Sequence, residues 1–159
     1  MNVKLICIGS LKEKFWNDAI LEYKKRLMPF CNFDICEITE YKLGKNFSKA
    51  DIIRSLDEEC NKILSNIPKN SYVISLCIEG KSIDSEEFAN YIYSVGLNGI
   101  SSIVFIIGSS FGLSEKVKNI SDLRLSMSNL TFPHQLARVI LTEQIYRSFQ
   151  IIKGTKYHK

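Results

Sequence analysis

The chain closes with Thr155-Lys156-Tyr157-His158-Lys159, and such a tail can stack on a base, contact phosphate and exchange a proton. Upstream of it, Glu143 and Arg147 stand four apart, a spacing that pairs an acid with a base across one helical turn in the favourable order. Three loops have the composition of ligand-binding loops: residues 77–81, 108–114 and 126–133. The middle one, Gly108-Ser109-Ser110-Phe111-Gly112-Leu113-Ser114, is glycine-rich. Its spacing is neither G-x-x-x-x-G-K-[ST] nor G-x-G-x-x-G, which excludes the familiar phosphate cradles. A tight turn accounts for its glycines taken alone. Residues 126–133 mix small polar and apolar side chains before a helix start, which suits a cofactor pocket and equally an ordinary strand-to-helix connection.

Metal chemistry has little to draw on. The five cysteines (Cys7, Cys31, Cys36, Cys60, Cys77) form no C-x-x-C pair, and their odd number argues against a disulfide framework. Only His134 and His158 could supply imidazole, so neither a Cys-ligated nor a His-rich metal site is expected. Charge is uneven. From Leu123 onward there are six basic side chains (Arg124, Arg138, Arg147, Lys153, Lys156, Lys159) against one acid, Glu143, whereas the first 122 residues hold 15 bases against 16 acids. A positive end on a nearly neutral body suits an anionic partner, nucleic acid first, or is simply a solvated basic tail.

The elements that must position these groups alternate along the chain. Residues 3–8 form a β-rich run, and residues 12–27 carry Phe15, Ala19, Ile20, Tyr23 and Leu27 at helical spacing up to Pro29. Residues 33–38 alternate apolar and polar, the pattern of a strand with one wet face and so of a sheet edge. Ser48-Lys49-Ala50-Asp51 reads as a capping box ahead of an amphipathic helix holding Ile52, Leu56, Cys60 and Ile63. Residues 72–78 and 103–107 are nearly all apolar, as strands covered on both faces are. Gly80 is expected to break the first of these, and Ser85 to cap the helix behind it. A short helix from Ser114, a last strand over residues 123–126 and a long helix opened by Pro133 complete the order. The alternation predicts an α/β fold, a mainly parallel sheet flanked by helices, with residues 1–159 as a single domain. A hydrophobic content of 45% with 24% charged residues suits one soluble globular core. No apolar run approaches the roughly 18 residues of a membrane span. The N-terminus carries no secretion signal, so a cytoplasmic location is expected.

The final helix is apolar almost all round: Leu136, Ala137, Val139, Ile140, Leu141, Ile145, Tyr146, Phe149 and Ile152 leave Arg138 on a polar strip with Gln135 and Thr142. The sheet covers one side, and a second copy of the chain is the expected cover of the other, which predicts a homodimer through this helix.

The run Leu125-Ser-Met-Ser-Asn-Leu-Thr-Phe-Pro-His-Gln-Leu-Ala-Arg-Val139, together with Gly108 to Ser114, Glu143-Gln-Ile-Tyr-Arg147 and the terminal Tyr157-His158-Lys159, closely resembles the RlmH family, ribosomal RNA large subunit methyltransferases of the SPOUT superfamily. Residues 11–16, the stretch Glu22-Tyr-x-Lys-Arg26 and Gly44-Lys45-Asn46 fit as well, so the likeness spans the chain. The resemblance implies a SPOUT-type α/β fold with a C-terminal trefoil knot, a homodimer, and S-adenosylmethionine held in the knot. It also implies methyl transfer to N3 of a pseudouridine in 23S rRNA of the assembled ribosome. Carried over by position, the cofactor contacts are Leu76, Gly108, Met127, Ser128, Asn129, Leu130, Thr131 and Phe132. His158 is the candidate base, Tyr157 positions the target base, and Arg147 serves catalysis or structure. Arg138 and His134 are candidates for RNA or structural contacts, and Lys156 and Lys159 for RNA contacts. Ser109 departs from the family's usual second glycine. The competing reading is a non-catalytic ribosome- or RNA-binding α/β protein, which needs no methyl donor; calorimetry with S-adenosylmethionine separates the two.

Overall fold

The computed structural model describes residues 1–158, so Lys159 and its expected RNA contact lie outside the described residues. Five strands, β1 (Asn2–Ile8), β2 (Asn32–Ile38), β3 (Tyr72–Ser82), β4 (Ser102–Ile107) and β5 (Leu123–Ser126), alternate with helices α1 (Lys14–Leu27), α2 (Lys49–Ser65), α3 (Ser85–Leu97), α4 (Glu115–Asn119) and α5 (His134–Ile152). The strands pair in parallel in the order β2-β1-β4-β3-β5.

Why β1 and β4 are continuously apolar is visible in the two cores. Val3, Leu5, Cys7, Ile103, Phe105 and Ile107 point to one face, where α1, α3 and α5 add Leu27, Phe88, Ile92, Leu141 and Ile145. Ile6, Ile8, Val104 and Ile106 point to the other, against Cys60 and Ile63 of α2 and Val117 of α4. Alternate side chains fall on opposite faces, so a strand wet on neither must be apolar throughout. β2, the alternating strand, sits at the sheet edge as its pattern predicts. The capping box is present at α2: Ser48 Oγ accepts from the Asp51 N–H, and the Asp51 carboxylate accepts from the Ser48 N–H.

Three expectations change. β3 does not end at Gly80 but runs to Ser82 through an irregularity between Leu76 and Lys81, both of which register with Leu125. A Cβ at Gly80 would stand 2.6 Å from the Leu125 backbone, so the bare residue lets β5 cross against it. Asp84, not Ser85, caps α3 by accepting from the Glu87 N–H, which frees the Ser85 hydroxyl to donate to Gln144 Oε1 at 2.8 Å. The cover of α5 comes largely from its own chain: it packs against α1 and α3, and none of residues 134–151 is exposed. Among the side chains that stay half-covered is an apolar stripe of Leu136, Val139 and Ile140. Among the described residues no helix is long and apolar enough to cross a membrane.

Candidate active site

At the carboxyl ends of β3, β4 and β5, the three loops picked out by composition converge on a cleft of about 790 Å³. Open parallel sheets place ligand sites there, because loops that leave the strands on this side turn into helices and splay apart. The glycine-rich turn forms one wall. Gly112 takes φ +85°, a left-handed conformation that closes the turn with its N–H donating to the Ser109 carbonyl at 2.9 Å. Gly108 is required for a different reason: a Cβ there would lie 2.2 Å from the Gly112 carbonyl oxygen. Residues 126–133 form the opposite wall, and Leu76 with the irregular segment Cys77–Ile78–Glu79 forms the floor and side. A Glu79–Lys118 ion pair of 2.6 Å stands at this side, its hydrogen bond holding the Glu79 carboxyl below and the Lys118 ammonium above their ordinary ranges.

Of the eight positions predicted to touch cofactor, Leu76, Gly108, Met127, Ser128, Leu130, Thr131 and Phe132 line this cleft, and Asn129 does not. His134 lines it too, at the start of α5. Burial, and then the neighbouring Arg138 guanidinium, push the His134 imidazole below its ordinary value, so it is neutral near pH 7.

Arg138 is not on the surface. It is 0% exposed, and donates to the Ile8 and Gly9 carbonyls at 2.9 and 2.7 Å and to Glu37 at 2.7 Å. A guanidinium committed to these acceptors has no face for RNA; its expected nucleic-acid role gives way to tying α5 to the end of β1. The helical wheel put it on a polar strip correctly, but that strip packs onto main-chain carbonyls that no sequence pattern displays.

The tail residues gather at the other end of α5. Arg147 pairs with Glu143 at 2.6 Å, lies 4.9 Å over the Tyr157 ring, and has its Nη1 3.4 Å from His158 Nδ1. The Tyr157 hydroxyl donates to Glu143 Oε1 at 3.2 Å. Arginine only donates, so His158 accepts through Nδ1 and, when neutral, carries its proton on Nε2, 3.9 Å from Glu86. Lys156 is exposed. Thus His158, Tyr157 and Arg147 form one cluster, and none of the three lines the cleft.

Four contributors were missed: Tyr146, Arg26, Glu59 and Gln144. Tyr146 meets Tyr157 edge-on at 5.0 Å, and Arg26 lies 6.0 Å over the Tyr146 ring while pairing with Glu22 at 2.8 Å. The Glu22–Arg26 stretch of α1 therefore backs the tail, a link the motif could suggest only once α1 and α5 were known to be neighbours. Glu59 is 3% exposed beneath the glycine-rich turn, accepts from the Tyr41 N–H at 3.1 Å and faces the Ser109 hydroxyl, which reaches no hydrogen bond of regular geometry. Burial pushes its carboxyl up, and the Tyr41 and Ser109 donors hold it back. Its signal was in the sequence: an acid on the apolar stripe of α2, between Leu56 and Ile63. Gln144 joins the cluster by donating to Glu143 Oε2 at 2.6 Å.

Comparison with known proteins bears on what such a site does. A family model described as "Predicted SPOUT methyltransferase" matches residues 1–158. The chain is similar to a ribosomal RNA large subunit methyltransferase H of Streptococcus thermophilus, 50% identical over 159 residues and 100% of both chains. A protein of the same name from Streptococcus uberis is 46% identical over the same span, and a putative one from Methanococcus vannielii is 48% identical, each again covering 100% of both chains. Among solved structures, a probable methylase family protein from Haemophilus influenzae superposes with a TM-score of 0.57 at 14% identity, covering 99% of this chain and 70% of its own, a likeness of fold alone.

Proposed function

The chain belongs to the SPOUT methyltransferase family, and from that premise we propose that it methylates N3 of a pseudouridine in 23S rRNA on the assembled ribosome, with S-adenosylmethionine as the donor. Methylation of large-subunit ribosomal RNA is the activity for which its full-length relatives are named. The observation that carries the reading to this site is the convergence of Leu76, Gly108, Met127, Ser128, Leu130, Thr131 and Phe132 on one cleft.

The cleft fits such a donor. Its volume of about 790 Å³ lies within the range of small-molecule sites, its walls are apolar at Leu76, Met127, Leu130 and Phe132, and bare backbone at Gly108 can approach a ligand closely. When bound, the donor supplies an activated methyl on a positively charged sulfur, so the transfer calls for alignment and removal of one proton. Holding the partners in line is worth roughly 7–11 kcal/mol of barrier. The imide N3–H is protonated at neutral pH and gives up its proton as the N–C bond forms. His158 takes that proton once its Nδ1 is released from Arg147, and the freed guanidinium faces the charge that develops on the imide oxygens. Tyr157 orients the ring, and Lys156 contacts phosphate from an exposed position. His134, half-buried at the cleft, touches the RNA backbone at its mouth.

Two further features belong to this reading. The trefoil knot that the resemblance implies belongs here too, with the close crossing of Gly80 against β5 consistent with it. The half-covered stripe Leu136, Val139 and Ile140 is the face on which a second copy packs to make the homodimer; a monomeric mass in sedimentation at micromolar concentration would reject it. The deciding experiment incubates ribosomes lacking the modification with methyl-labelled donor and maps the label. Label at one pseudouridine of 23S rRNA is expected. Absence of both donor binding and transfer to ribosomes would leave only the ribosome-binding alternative.

A further inference from the structure

A second cavity of about 330 Å³ adjoins the cleft. Its apolar walls include Phe88, Met127, Leu141 and, at the border of the face assigned to a second copy, Ile140; its polar edge is Asp84, Ser85 and Gln144. Three residues, Leu125, Ser126 and Met127, line both cavities, so the two meet at the end of β5. Along α5 the order is informative. His134 and Ala137 touch the donor cleft, Leu141 and Gln144 touch the second cavity, and Glu143 and Arg147 carry the tail. At 1.5 Å per residue, Ala137 and Leu141 are about 6 Å apart along the axis. A hydrogen-bonded path then leads out of the cavity: Ser85 to Gln144, Gln144 to Glu143, Glu143 to Arg147, and Arg147 to His158.

We propose that this cavity seats the flipped-out target base, and that Gln144, backed by Ser85, reads the N1–H and C2=O edge that distinguishes pseudouridine from uridine. The inference rests on the methyltransferase reading above and names the part of the site that selects the substrate. Enzymes acting on a base take it out of the stack into a snug pocket with apolar faces and a hydrogen-bonding edge, and the cavity has both. The Gln144 carboxamide has two donors and two acceptor lone pairs. One donor goes to Glu143 and one lone pair to Ser85, which leaves one of each. In pseudouridine the glycosidic bond is to carbon, so N1 keeps a hydrogen next to C2=O. A carboxamide pairs with that edge through N1–H to Oε1 and Nε2–H to the C2 carbonyl. N3 is then left free on the side of Leu125–Met127, where the two cavities meet, to come in line with the donor's methyl carbon as the N–C bond forms and the C–S bond breaks. Uridine, bonded to its sugar through N1, offers no donor there.

The test compares methyl transfer to ribosomes carrying pseudouridine or uridine at the target position, with donor affinity measured by calorimetry alongside. The intact chain is expected to prefer pseudouridine by about a hundredfold or more, since a site built to bond an N–H rejects the analogue lacking it. Gln144→Leu is expected to lose most of that preference, through transfer to pseudouridine, while binding donor within about twofold of wild type. Ser85→Phe, which fills the cavity, is expected to lower transfer to both templates with donor binding retained. A Gln144→Leu protein that keeps full discrimination, or a filled cavity with undiminished turnover, would overturn the inference and leave the methyltransferase reading standing. Failure of the unmutated chain to methylate either template would instead sink that reading.

Discussion

Arg138 and Arg147 lie on one helix, less than three turns apart, and do opposite things. Arg138 has a side chain 1% exposed and is bonded to two main-chain carbonyls and Glu37. Arg147 keeps 27% of its side chain in solvent, and its contacts are a neighbouring carboxylate, the Tyr157 ring and His158. The first cannot move without orphaning buried acceptors. The second exchanges its partners at small cost, because water replaces what it gives up. One end of α5 is thus held in place beside the cleft, and the other is free to exchange its partners. The same residue type is locked where it is desolvated and left exchangeable where it is not.

That contrast breaks most readily at its rigid end. Arg138→Ala removes the ion-pair partner of the part-exposed Glu37 and leaves the Ile8 and Gly9 carbonyls without its donors, so unfolding in denaturant should show a loss of about 1–3 kcal/mol for each acceptor orphaned. An unchanged midpoint would erase the difference between the two arginines. At the mobile end, His158→Ala should slow ribosome methylation by about 10²–10⁴-fold with stability and donor affinity almost unaltered. Turnover equal to wild type would remove His158 from the reaction. Tyr146→Leu, which takes away the ring under Tyr157, should cost about tenfold in turnover, the scale of one aromatic pair. Tyr146→Phe, keeping the ring, should restore it, and failure to do so would locate the effect in the hydroxyl instead.

The smallest effect concerns pH. The His134 imidazole is held below its ordinary value by burial and by Arg138, so over that interval the unfolded chain binds a proton that the folded chain does not. Stability should therefore be fully present above the unfolded value near 6.5 and fall as the pH drops through it. Thermal melts of His134→Gln should lose part of this slope, and a parallel pair of melting curves would show that His134 does not contribute.

Much of this architecture was legible in advance. Ile103 to Ile107 announced a strand covered on both faces, residues 33–38 an edge, and Ser48 with Asp51 a helix start, because each pattern records a local requirement of solvent or backbone. The cofactor positions carried over by resemblance fall on one cleft, Asn129 excepted. Two of the misreadings share a cause. Gly80 looked like a strand break but is the place where β5 passes, and Arg138, offered for RNA or structural contacts, is taken up by the end of β1. In both, the deciding neighbour lies about 40 or more residues away, whereas the cap expected at Ser85 moved by one residue, to Asp84.

Period, capping residues and apolar runs in this chain determined which segments became strands and helices and which strands would be dry, since those depend on contacts within a few residues or on the presence of water. Only the tertiary structure decided that α1 and α3 would cover α5, that one arginine would be buried and the other left facing the tail, and that a second cavity would open beside the cleft. Those outcomes depend on which segments meet across the sheet, and the free energy of a polar group turns on whether the partner it meets there replaces the water it loses.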